Sequence, residues 1–172
     1  ARELVEWADR AKGLKIAIRR QASATLAGIL LRNGDGSEGH AIVDSLLAAD
    51  TTDAIAGVCW AQLAEHGFQH SDLVLAERAS GRALELLRKN RDAWPSPESV
   101  EAGLLANLSA IKMFQGNLGE ARRLFGQAEE IANRTGFATT QHWAIALMNS
   151  GTQWYYAGDL DQAARCLERA LV

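Results

Sequence analysis

The sequence predicts an all-α chain built as a superhelix of about four antiparallel helical hairpins, and three observations carry that prediction. The first is a recurring template of a capping residue followed by two alanines seven residues apart. It reads Asn117-Leu118-Gly119-Glu120-Ala121 with Ala128, Asp159-Leu160-Asp161-Gln162-Ala163 with Ala170, and Asp72-Leu73-Val74-Leu75-Ala76 with Ala83. A weaker copy is Ser37-Glu38-Gly39-His40-Ala41 with Ala48. The second is the period: the template alanines stand 35, 45 and 42 residues apart from Ala41 through Ala76 and Ala121 to Ala163. Such periods mean supersecondary units that bury their apolar faces only by stacking on their neighbours, with a four-helix bundle as the alternative that the shared register of the capped repeats disfavours. The third is composition, since 172 residues contain only 2 prolines and no sustained strand alternation.

The elements follow in order. Arg2 to Ala11 reads as a helix closed by Gly13, and Leu14 to Leu31 as a longer apolar one ending at Asn33-Gly34-Asp35-Gly36. Ser37 is expected to cap a helix through Ala49, and Thr52 or Asp53 one from Ala54 to His66, which Gly67 stops. Asp72 opens a helix to about Asn90. Trp94-Pro95-Ser96-Pro97 is the one strong breaker, with Pro97 placed in the first turn of a helix to Phe114. Asn117 caps a helix to Arg134, Thr139 or Thr140 one to Tyr156, and Asp159 the last. Gly116 and Gly158 turn the chain between them, and Gly136 closes the helix before Thr139. Glu120 and Gln162, three residues past their caps, are expected to complete capping boxes. The paired alanines lie two turns apart on one face, where a small side chain admits a crossing helix. The count is nine helices in one domain spanning 1–172, with both ends reading as cut from a longer array.

These residues resemble a tetratricopeptide repeat. Trp60, Leu63, Ala64, Ala76 and Ala83 stand where that family places its Trp, Leu, small residue and two alanines. The next set is Leu105, Leu108, Ser109, Ala121, Phe125 and Ala128, and the last is Leu147, Ser150, Gly151, Trp154, Ala163, Leu167 and Ala170. The match covers Ala41 to Val172, and before it Gly28 is the candidate for the small crossing residue. The spacings exceed the usual ~34 residues, and the proline that closes each repeat in the family is absent. Longer repeats ending in a run such as Ala132-Asn133-Arg134-Thr135-Gly136 are similar to those of large bacterial LuxR-type transcription regulators related to the maltose activator. The resemblance implies a right-handed superhelix that serves as a sensor or docking module, binding a protein or peptide, or another domain of its parent chain; free thiols at Cys59 and Cys166 make the cytoplasm the expected compartment by default.

In that family the first helix of each hairpin lines a concave groove. Fourteen residues before each template alanine stand Gln62, Asn107 and Asn149. A column of amides suits an extended backbone, because each can donate and accept; the same groups could equally satisfy polar atoms between packed hairpins. Beyond Asn149 lie Thr152, Tyr155 and Tyr156, with Met148 before it, and beyond Asn107 lie Met113 and Phe114. Aromatic and thioether side chains offer adaptable contact area, so these residues complete the expected binding surface. A small-molecule sensor is the rival reading and predicts a closed apolar pocket around Trp143, Met148 and Tyr155. Self-association through the ends of the array is another.

Other chemistry finds little support. No nucleophile elbow, phosphate loop or dinucleotide fingerprint occurs, and Asn33-Gly34-Asp35-Gly36 matches a calcium loop for too few residues, so no enzyme and no cofactor is expected. His66 and His70 are four apart, but Gly67 is expected to break the helix between them and no Cys or carboxylate cluster completes a site, so no metal site is expected. Cys59 and Cys166 lack metal spacing and read as buried free thiols. The 18 basic and 21 acidic residues give a net charge of -3, which provides no footprint for direct nucleic-acid binding. No apolar run approaches the ~20 residues that span a bilayer.

Overall fold

The computed structural model describes residues 16–34, 36–49 and 51–171. The expected helix at Arg2 to Ala11 lies outside them. Eight α-helices follow: α1 (Ile16–Arg32), α2 (Gly36–Ala49), α3 (Ala54–Gln69), α4 (Leu73–Lys89), α5 (Pro97–Phe114), α6 (Leu118–Thr135), α7 (Gln141–Tyr156) and α8 (Leu160–Ala170). Two 3-10 turns, Arg91–Ala93 and Phe137–Thr139, complete the order, and no strand occurs among the described residues. The chain divides into two compact units between Trp94 and Pro95, where the sequence suggested one domain. The boundary is the Pro-containing breaker itself.

In the first unit, α1 pairs with α2 and α3 with α4, and α1 and α2 both pack on α3. In the second, α5 pairs with α6, α7 with α8, and α5 packs on α7. Each unit is therefore two stacked hairpins, with the first helix of one hairpin laid against the first helix of the next.

Three hairpins share one turn, and its chemistry explains the template. Ser71, Gly116 and Gly158 adopt left-handed backbone with φ of 60°, 75° and 81°. The next residue is the cap, and its N–H donates to the carbonyl five residues earlier: Asp72 to Gly67 at 2.8 Å, Asn117 to Lys112 at 2.8 Å and Asp159 to Trp154 at 3.0 Å. This is the Schellman arrangement, which satisfies the last carbonyls of the preceding helix. The cap side chain then accepts from the new helix: Asp72 from the Leu75 N–H at 3.0 Å, Asn117 from Glu120 at 3.2 Å and Asp159 from Gln162 at 3.2 Å. Asp53 and Thr140 cap α3 and α7 in the same manner. The expected capping boxes are not made, because the cap N–H is already spent. Glu120 instead holds Arg123 at 2.6 Å, and Gln162 accepts from Arg165.

The crossing positions are small and buried, as the template requires. Ala76, Ala121 and Ala163 are buried, and Ser109 uses its place at the α5–α6 crossing to donate its hydroxyl to the Ala121 carbonyl at 2.8 Å. A methyl on Gly151 would meet the Leu167 side chain at 2.7 Å and the Ala163 carbonyl at 3.2 Å.

The weak copy is corrected by two residues. Ala41 and Ala48 are exposed, whereas Gly39, Val43 and Leu46 are buried. Gly39 is the crossing residue of α2, since a Cβ there would lie 2.8 Å from Leu31 Cγ. Gly34, with φ of 90°, occupies the left-handed turn position five residues before it, as Gly116 does before Ala121. Ser37 accordingly sits inside the helix. Twelve residues before Gly39, where Ala64, Ser109 and Gly151 stand before their partners, is Ala27, fully buried. Gly28 has a different task, described below. A second correction concerns Gly67, which α3 passes through on its way to Gln69. A Cβ at Gly67 would stand 2.9 Å from the Ala76 backbone nitrogen, so this glycine admits α4 rather than ending α3.

The tryptophans close the cores. Trp94 folds back so that its ring would touch a Cβ at Gly57 at 2.6 Å. Trp143 lies between Phe125 and Phe137, with ring centroids 6.3 Å and 5.9 Å away, and Trp154 is fully buried. Truncating such a ring costs about 3–5 kcal/mol.

Candidate functional site

The stacking of α1 on α3 identifies which face of a first helix receives the next one. Gln62 of α3 donates its amide to the Ala24 carbonyl at 3.0 Å. A Cβ at Gly28 would come within 2.6 Å of the Gln62 amide nitrogen, so Gly28 is the gap through which Gln62 passes. One turn on, His66 Nδ1 meets the Leu31 carbonyl at 3.2 Å. The receiving stripe of α1 is thus Ala24, Gly28 and Leu31, spaced i, i+4, i+7 along one side.

Counted from the crossing residue of each hairpin (Gly39, Ala121, Ala163), the same positions are Ala106, Ala110 and Met113 on α5, and Met148, Thr152 and Tyr155 on α7. On α5 all three are buried. On α7 Met148 is 50% and Tyr155 60% exposed, and Thr152 is exposed as well. Ile145 (46%) and Asn149 flank them, and Tyr156 (81%) sets its ring edge-on to Tyr155 at 5.6 Å between centroids. Thr152 spends its hydroxyl on the Met148 carbonyl at 3.0 Å, which leaves its methyl as the contact group. The result is a stripe of thioether, methyl and phenol surface bordered by one amide. It is the face on which α1 takes a helix, with larger side chains.

The sequence-derived residues separate on this geometry. Met148, Asn149, Thr152, Tyr155 and Tyr156 come together on α7. Gln62 does not serve as a rung of an amide ladder, because its Nε2 is committed to α1. Met113 is buried, so it is a packing residue rather than a groove residue. Phe114 beside it is 63% exposed, and Asn107 is half-buried on α5. Ile145 was not singled out by the sequence, although its place one turn before Met148 and Asn149 could have found it. The pocket expected around Trp143, Met148 and Tyr155 does not form: Trp143 is 1% exposed and stacked in the core, while the other two face outward. An open cleft of about 300 Å³ lies instead between α1 and α2, lined by Ser23, Glu38, Ala41, Ile42, Ser45 and Leu46.

Electrostatics fix the scaffold beneath this face. Arg122 of α6 grips one Asp159 oxygen with Nε at 2.9 Å and a terminal nitrogen at 2.7 Å, and its guanidinium lies 6.0 Å from the centroid of Trp154. Burial pushes the Asp159 carboxyl up, but the hydrogen bonds from Arg122 and the Gln162 amide outweigh it and hold the group below the ordinary value of 3.8. Arg20 bonds Asp53 at 2.5 Å and so ties α1 to the cap of α3. Burial raises the Cys59 and Cys166 thiols to about 11, which keeps both protonated and unreactive at neutral pH. Among the described residues no group of three or more His, Cys, Asp or Glu is placed to hold a metal ion, and no helix is long and apolar enough to cross a membrane.

No protein-family model matches the chain, and no curated protein matches it.

Proposed function

We propose that the chain is a non-catalytic, tetratricopeptide-like binding scaffold: a right-handed superhelix of stacked hairpins that docks a protein partner. The setting that fits its resemblance is the docking or sensor module of a bacterial transcription or signalling regulator in the cytoplasm. One observation carries the reading. The side of α7 that on α1 and α5 is occupied by packing is open, and it carries Met148 and Tyr155 where those helices have alanine and a smaller aliphatic or thioether group. The favoured occupant is an amphipathic helix, because a helix is what the equivalent stripe of α1 receives. Met148 and Tyr155 would supply the apolar contact, and Asn149 and the tyrosine hydroxyls the polar rim. This departs from an extended peptide held by a column of amides, since Gln62 is spent inside the first unit.

The test is a photo-crosslinking residue at position 148, identification of the protein captured, and titration of that purified protein against wild type, Met148→Ala and Tyr155→Ala. The expected result is affinity weakened roughly tenfold or more by each truncation, with unchanged melting, as for centrally placed anchors. Unchanged affinity in both variants would overturn the docking assignment. Crosslinks formed only between copies of the chain, with a dimer mass by light scattering, would move the reading to self-association. A small molecule that co-purifies, seen by native mass spectrometry, would move it to effector sensing.

A further inference from the structure

The helix that runs through Gly67 brings together side chains that the sequence seemed to separate. His66 and His70 stand one turn apart at the end of α3, with ring centroids 4.1 Å apart. His40 of α2 stands edge-on to His66 at 5.0 Å. Two histidines at i, i+4 on one helical face are the arrangement that chelates a divalent metal in helical zinc motifs. The geometry points to a two-imidazole metal site here, in which His66 and His70 bind a divalent late transition-metal ion through Nε2 and water fills the other positions.

Two further observations support it. Each ring has its Nδ1 against a backbone carbonyl, His66 on Leu31 at 3.2 Å and His70 on His66 at 2.9 Å. A carbonyl can only accept, so each Nδ1 carries the proton and each Nε2 keeps a lone pair for a metal. The carbonyl also orients the ring and raises its basicity as a ligand, as second-shell partners do. Gly36 stands beside the Nε2 edge of His66, where an added methyl would touch the ring at 3.4 Å from Cε1 and 3.7 Å from Nε2, so the missing side chain leaves that edge uncovered. Imidazole ligands suit zinc, nickel and copper rather than magnesium or calcium.

The probes are Ni²⁺ and Zn²⁺ added to untagged protein at pH 7.5, read by calorimetry and by thermal melting. The expectation is saturable binding of one ion per chain, with melting raised by about 3–6 °C at ten times Kd. His70→Gln is the informative variant, because His70 is exposed and its loss leaves the core intact. It should weaken binding by about tenfold or more through loss of the chelate while leaving the metal-free melting temperature unchanged. Mg²⁺ should produce no shift. Absence of saturable binding in wild type, or equal affinity in His70→Gln, would overturn the assignment. A stoichiometry above one that survives His70→Gln would do the same, by showing scattered surface sites.

Discussion

Ser71 offers a substitution whose size can be worked out in advance. It is the left-handed residue of the α3–α4 turn, with φ of 60°, in the position that Gly34, Gly116 and Gly158 fill elsewhere. It is also the one non-glycine residue with positive φ among the described residues. An L-residue in that conformation costs about 1–2 kcal/mol through the approach of Cβ to the following carbonyl. Replacing it with glycine removes that cost but restores about 0.5–1 kcal/mol of backbone entropy to the unfolded chain. Ser71→Gly should therefore stabilise by about 0.5–1 kcal/mol. Gly116→Ala and Gly158→Ala should lose a similar amount. No atom lies within 4 Å of a Cβ built at either, so backbone strain is the only cost. Urea unfolding followed by circular dichroism resolves such differences, provided the slope is constant so that the midpoint reports stability. A destabilised Ser71→Gly would show that the serine hydroxyl contributes to the turn. A neutral Gly158→Ala would refute the claim that these three turns share a conformational constraint.

Two further substitutions test the crossing register and the clamp beneath α7. Ala121→Leu should cost about 1–3 kcal/mol by overpacking the α5–α6 crossing, while Ala41→Leu, on an exposed face, should stay within about 0.5 kcal/mol of wild type; equal effects in melting experiments would undo the two-residue correction in α2. Asp159→Asn keeps a capping side chain but loses the Arg122 pair, and a loss of up to about 1 kcal/mol at pH 7 is expected for a partly exposed pair. The native carboxyl lies below its ordinary value, so the pair's contribution is complete above 3.8 and fades as pH falls through the lowered value. The difference between wild type and Asp159→Asn should therefore shrink on acidification, and a difference that grew would contradict the sign.

What the sequence revealed of the fold were the features with local chemistry. Asp72, Asn117, Thr140 and Asp159 each cap the helix they were expected to cap, because a short polar side chain beside free amides acts within three residues and needs no tertiary context. Glycine was the ambiguous letter. Gly116, Gly136 and Gly158 turn the backbone with positive φ, whereas Gly28, Gly39, Gly57 and Gly67 lie inside helices and leave room for a neighbour. Both uses follow from a missing Cβ, and only the partner distinguishes them. That is why Gly67 was read as a stop, and why the copy at Gly39 was placed two residues late, on alanines that face solvent.

The same dependence on partners explains the candidate sites. Gln62, Asn107 and Asn149 share a slot, so sequence alone makes them equivalent, but what stands opposite the slot differs. Gln62 meets the Ala24 carbonyl across a glycine gap and is half-buried, while Asn149 is exposed. Equivalence by position becomes informative once one copy shows what the position touches. The stripe Ala24, Gly28 and Leu31 receives α3, and that contact gives Met148, Thr152 and Tyr155 a meaning that their own surroundings do not supply. The histidines follow the same logic from the other direction. Their spacing suggested chelation, and two things argued against it: the supposed break at Gly67 and the lack of a Cys or carboxylate cluster beside them. Because Gly67 is instead a close-packing residue against α4, the turn that joins His66 to His70 stays helical. A packing requirement at Gly67 thus preserves the helical turn that carries the ligand pair.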